Sequence, residues 1–123
     1  MAKRLLICVV DDDESVRESL PDLLNELGFS ALAFASAEGF LASDAPGRAD
    51  GLILDIGMPG MSGPDLQQAL QRQSRGIPII FITALADEDL RRLVLERGAV
   101  ECLLKPFSES ALMAALRAAL GSV

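Results

Sequence analysis

Four short apolar runs in this chain each stop on a chemically loaded residue, and that repetition restricts the fold more than any other feature. Leu5-Leu6-Ile7-Cys8-Val9-Val10 runs into Asp11-Asp12-Asp13, and Leu52-Ile53-Leu54 stops at Asp55. Ile79-Ile80-Phe81-Ile82 stops at Thr83, and Val100-Glu101-Cys102-Leu103-Leu104 stops at Lys105-Pro106. Nearly continuous β-branched runs of this length are strands buried on both faces, as in a parallel sheet. Open parallel sheets bind ligands just beyond the carboxyl ends of their strands. Carboxylates, a hydroxyl and a lysine are therefore expected to meet at one edge.

Strand and helix signals alternate five times. Strand one, at about 4–10, leads into a helix capped by Asp12 or Asp13, with Glu14 in its first turn and Gly28 past its end. Leu20, Leu23, Leu24 and Leu27 share one face of this helix, and Pro21 inside it should bend it. Ser30–Phe34 reads as an edge strand, Ser36 caps a short helix to about Leu41, and Ser43–Gly47 reads as a loop. Gly57–Pro64 is dense in turn residues and reads as a long loop, followed by a helix to about Gln73. The fourth helix runs from about Asp87 to Arg97, with Leu90, Leu93 and Val94 toward the core. The last runs from Ser108 to Leu120. These five βα units predict one domain over residues 1–123, a three-layer doubly wound α/β fold with a five-stranded parallel sheet. A closed eight-stranded barrel would need about twice the chain.

Composition narrows the function. With no histidine among 123 residues, His catalysis and His metal sites are excluded. A net charge of −7 argues against direct nucleic-acid binding. Cys8 and Cys102 sit inside strands without a metal or redox spacing, so buried reduced thiols are expected. No apolar stretch approaches the roughly 18 residues that span a bilayer, and Asp11 cuts the first run too short for a signal peptide, so a cytoplasmic protein is expected.

Converging carboxylates cannot all ionise without a positive partner. Asp11, Asp12 and Asp55 would be served best by a hard divalent cation, Mg²⁺ or Mn²⁺, while one of the three aspartates after strand one, Asp13 in the simplest reading, caps the helix. Lys105 adds an ammonium and Thr83 a hydroxyl. An aspartate, a divalent cation, a lysine and a hydroxyl are what phosphoryl transfer to a carboxylate requires.

At this point the text Val9-Val10-Asp11-Asp12-Asp13, Leu54-Asp55-Ile56-Gly57-Met58-Pro59-Gly60-Met61-Ser62-Gly63, Ile79–Ala84, Gly98-Ala99-Val100 and Lys105-Pro106-Phe107 resembles the receiver domain of bacterial two-component response regulators, the CheY-like fold. The wording is most similar to receivers that precede a helix-turn-helix DNA-binding domain and so serve transcription regulation. The resemblance implies strand order 2-1-3-4-5. It implies that Asp55 accepts a phosphoryl group from a sensor histidine kinase, with Mg²⁺ on Asp12, Asp55 and the Gly57 carbonyl, and Asp11 acting directly or through water. Thr83, Ala84 and Lys105 would then contact the phosphoryl group, and the bond to Pro106 would be cis. Such a chain would be a signalling switch rather than an enzyme.

Two departures stand out. Cys102 replaces the aromatic usual on strand five, which puts the usual readout in doubt. Gly57 and Leu85, which flank the phosphate in the family, cannot orient a water, so slow loss of the phosphoryl group is expected. Gly57 also argues against an aspartyl-phosphate phosphatase or phosphotransferase, which would carry a second aspartate there. A degenerate receiver that works by binding alone is opposed by the complete acidic, Thr and Lys set. A flavin carrier is opposed by three aspartates where a phosphate cradle would lie. The last helix carries only Arg117 as a charge between Ala111 and Leu120. Leu112, Leu116 and Leu120 are expected inward, and the alanines and Met113 outward, as a surface for a homodimer or an output domain.

Overall fold

The computed structural model describes residues 4–121. Strands β1 (Leu6–Val10), β2 (Ser30–Phe34), β3 (Gly51–Asp55), β4 (Ile79–Thr83) and β5 (Glu101–Leu104) form one parallel sheet in the order β2-β1-β3-β4-β5. Helices α1 (Glu14–Glu26), α2 (Ala37–Ala42), α3 (Gly63–Arg72), α4 (Glu88–Glu96) and α5 (Glu109–Leu120) fill the connections. The doubly wound fold and its strand order agree with the sequence.

Alternation along the strands divides the core in two. Cys8, Val10, Leu52, Leu54, Phe81 and Cys102 face one side, where Phe40 of α2, Leu66 and Leu70 of α3 and Val94 of α4 close over them. Ile7, Val9, Ile53, Ile80 and Ile82 face the other, under Leu20 and Leu24 of α1 and Leu112 and Leu116 of α5. Burying both faces is what makes the strands read as unbroken apolar runs. The edge position of β2 shows in its half-buried pattern and in Leu32, 37% exposed.

Side-chain caps start every helix. Asp13, rather than Asp12, accepts from the Ser15 N–H, and Ser36, Asp87 and Ser108 cap α2, α4 and α5 in the same way. α1 continues unbroken over Pro21.

Four details differ from the sequence reading. Gly63 and Pro64, read as loop, are the first residues of α3, because Ser62 and Asp65 form a reciprocal capping box and proline is tolerated in a first turn. Ala45–Gly47 is a 3-10 turn rather than open loop. On α4, Leu90 and Leu95 pack on the core beside buried Val94, whereas Leu93 is half-buried and belongs to neither cluster. On α5, Met113 and Ala119 pack inward and Ala115 is buried, so the outward face shrinks to Glu109, Ser110, Ala114, Arg117 and Ala118.

Candidate functional site

Register brings the strand-end residues together. Val10 pairs with Leu54, so Asp11 and Asp55 leave β1 and β3 at one level, and Thr83 pairs with Leu104, so Lys105 emerges just beyond it. Since β2 and β3 flank β1 on opposite sides, the chain parts at this edge and leaves a crevice there. Asp11, Asp12 and Asp55 each offer a carboxylate oxygen, and these lie within 4.8 Å of one another.

Lys105 holds the two buried members of that group. Its Nζ is 2.8 Å from Asp11 Oδ2 and 3.6 Å from Asp55 Oδ1. The other oxygen of Asp11, Oδ1, accepts from the Asp13 N–H at 2.9 Å. Both Asp11 oxygens are thus engaged, while Asp12 is exposed. Burial, together with the neighbouring Asp11 charge, pushes the Asp55 carboxyl up from 3.8 to about 6, against the pull of Lys105. Burial draws Lys105 down, but its hydrogen bond to Asp11 and the charge of Asp55 outweigh that and hold it above the ordinary lysine value.

These residues fit a hard divalent cation. Three hard oxygen donors converge, and one of them is a carboxyl whose ionisation is opposed by burial and by the Asp11 charge, both of which a cation would offset. The Gly57 carbonyl belongs to the segment between β3 and α3, which is held at several points. Gly63 N–H donates to the Ile56 carbonyl at 3.0 Å, and buried Met58 anchors the middle. Gly63 must be glycine, because a side chain there would run into the Asp55 carbonyl.

Thr83 is 8% exposed, and its Oγ1 accepts from the Leu85 N–H at 3.0 Å, which leaves its own proton free to donate. Ala84 is exposed beside it. The Lys105–Pro106 peptide is cis. Cys8 and Cys102 are both buried free thiols, raised by burial, Cys8 to about 11. Around Cys102 a cavity of about 120 Å³ opens, lined by Thr83, Leu85, Arg91 and Leu104 among others.

Two contacts at the site were not read from the sequence. Arg17 reaches from α1 to the Asp11 carbonyl at 3.1 Å, and Glu38 on α2 accepts from the Met61 N–H at 3.2 Å. Arg17 carries a signal, lying one helical turn past the Asp13 cap. Glu38 carries none.

Residues 7–117 match the response regulator receiver domain. The chain belongs to that family, whose role is to accept a phosphoryl group in signal transduction. It is 40% identical to Nodulation protein W of Bradyrhizobium diazoefficiens, covering 94% of this chain and 51% of that protein. It is 41% identical to the response regulator protein TodT of Pseudomonas putida, over 94% of this chain and 51% of that one. The structure of the response regulator StyR superposes with a TM-score of 0.88 at 45% identity, covering 96% of this chain and 60% of StyR. FixJ-N superposes with a TM-score of 0.87 at 34% identity, over 99% and 98% of the two chains. The chain spans about half the length of the curated relatives it matches.

Proposed function

We propose that Asp55 is the phosphoacceptor of this receiver and that Mg²⁺ or Mn²⁺ is held by Asp12, Asp55 and the Gly57 carbonyl, with Asp11 acting through water. The observation that carries the proposal is the single 4.8 Å cluster of Asp11, Asp12 and Asp55 with Lys105 against two of its members. An Asp55 oxygen attacks phosphorus, the phosphorus–nitrogen bond of a kinase phosphohistidine breaks with its electron pair going to the imidazole, and an acyl phosphate forms. The divalent cation supplies the positive charge that offsets the carboxylates and the phosphoryl oxygens. Lys105 lies within reach of the same oxygens. Thr83 donates its hydroxyl proton to the phosphoryl group, giving up the Leu85 N–H, and Ala84, with no polar side chain, contributes its main-chain N–H. The full engagement of both Asp11 oxygens favours the water-mediated role for that residue.

The chain acts as one receiver domain over 1–123 and as a signalling acceptor, with no substrate beyond its own phosphoryl group. Its partners are a sensor histidine kinase in the cytoplasm and a DNA-binding output domain. The relatives of about twice its length, TdiR and FixJ among them called transcriptional regulatory proteins, support the output reading. Exposed Leu85 and Leu104, at 64% and 50%, favour a homodimer surface formed by α4, β5 and α5. Among the described residues no helix is long and apolar enough to cross a membrane.

Incubation with a small-molecule phosphodonor tests the reading. One phosphoryl group should be incorporated with Mg²⁺, little without it, and none in Asp55→Ala. Equal incorporation by Asp55→Ala would refute the assignment.

A further inference from the structure

Helix α4 is held very differently at its two ends. Of its residues only Val94 is buried. At the start, residues 84–89 are all exposed, and their hydrogen bonds are local: the Leu85 N–H to Thr83 Oγ1 and the Leu90 N–H to the Asp87 cap. Midway, Arg91 and Glu101 pair at 3.2 Å, with side chains 44% and 38% exposed, where such pairs contribute little. The far end is different. Gln67, on α3 and 1% exposed, donates its Nε2 to the Val94 carbonyl at 3.1 Å and to the Arg97 carbonyl at 3.4 Å. Gln71, one turn on, donates to the same Arg97 carbonyl at 2.5 Å. The Val94 carbonyl also accepts from the Ala99 N–H at 3.0 Å, so two side chains of α3 reinforce a helix end that its own backbone closes in part.

Gln67 holds this position at a cost. Its Oε1 is sealed from solvent and has no partner among the described residues. Buried polar atoms are nearly always paired, and an orphan lowers stability. A methionine would fill the same space without that orphan, so what glutamine adds is the pair of donated hydrogen bonds. The helix that carries it is itself anchored at the site, since Gly63 begins α3 against the Asp55 carbonyl.

We propose that Gln67 and Gln71 are the pivot of α4: positioning residues that fasten its Val94–Gly98 end to α3, so that a change at Asp55 displaces the helix at its Asp87 end alone. The fastening is a property of the resting chain, and the displacement rests on Asp55 being the phosphoacceptor.

Amide hydrogen exchange of the full chain, resolved by residue, tests both parts. The N–H groups of Arg97, Gly98 and Ala99 bond to Leu93, Leu95 and Val94 carbonyls and report on the fastened end. In Gln67→Met they should exchange about tenfold faster than in wild type, the loss of roughly one hydrogen bond of local stability, while α3 amides are unchanged. Gln71→Ala, at an exposed position, should give a smaller rise at the same amides and serves if Gln67→Met does not fold. A change under twofold in both variants would overturn the pivot. With a phosphodonor and Mg²⁺, wild type should change over residues 84–92 and stay constant at 97–99, whereas Gln67→Met should change throughout. Equal changes at both ends of wild type would also overturn it. Absence of any phosphoryl group on Asp55 would refute the acceptor reading and leave the resting-state comparison to decide the fastening.

Discussion

Asp11, Asp55 and Lys105 occupy one part of the sheet edge, and Cys102, Leu85 and Leu104 occupy the part beside it. In the first, charges are buried and cross-linked: Asp11 is fully buried, and both of its oxygens and the Lys105 ammonium have partners within 3 Å. In the second, Leu85 and Leu104 stand in solvent beside buried Cys102, around a cavity of about 120 Å³. A cavity at a close-packed core margin leaves its lining atoms without neighbours. The contrast separates two tasks. Holding and transferring charge requires fixed geometry in a low dielectric. Passing the result outward requires groups that can still move.

Breaking the cross-link should have the largest effect. Lys105→Ala leaves two buried carboxylates without their cation, and we expect a loss of about 2–4 kcal/mol in the metal-free protein, measured by urea unfolding. Mg²⁺ should return part of it, since the cation supplies the missing charge, and no recovery would mean that the metal does not sit beside these carboxylates.

A smaller effect comes from Asp55 itself. Its carboxyl is raised from 3.8 to about 6 in the fold, so the folded chain keeps the proton longer than the unfolded one. The stability linked to that proton is fully present below about 4 and is lost as pH rises through about 6. Asp55→Asn should therefore exceed metal-free wild type by about 1–3 kcal/mol at pH 7.5, with the gap closing as pH falls to 4. A gap that does not vary with pH would show that Asp55 is not held in this environment.

The smallest effect lies on the open side. Nothing lies within 4 Å of a side chain built at Gly57, and Leu85 is 64% exposed, so both positions accept polar groups. Gly57→Asn with Leu85→Glu should shorten the lifetime of the phosphorylated form several-fold by orienting a water. Equal lifetimes would mean that hydrolysis is governed elsewhere.

The fold was legible because its signals are local. Buried strands announce themselves as apolar runs, and Asp13, Ser36, Asp87 and Ser108 cap helices through bonds of two or three residues' reach. The strand-end residues were legible for the same reason, since the sheet alone brings Asp11, Asp55, Thr83 and Lys105 to one edge. What escaped depends on distant partners. Leu93 and Met113 were misplaced because helix spacing gives a stripe without saying how far neighbouring elements wrap around it. Glu38 and Gln67 bond to main-chain atoms 23 and 27 residues away, which no side-chain pattern reveals. Gly63 and Pro64 looked like loop residues because both are also acceptable in the first turn of a helix.

The most direct test of the central claim is to locate the modification. Wild-type protein treated with phosphodonor and Mg²⁺ would be reduced with borohydride, which converts an aspartyl phosphate to homoserine, and mapped by peptide mass spectrometry. Homoserine at position 55 alone is the expected result, and homoserine at 11 or 12 with an unmodified Asp55 would contradict the account.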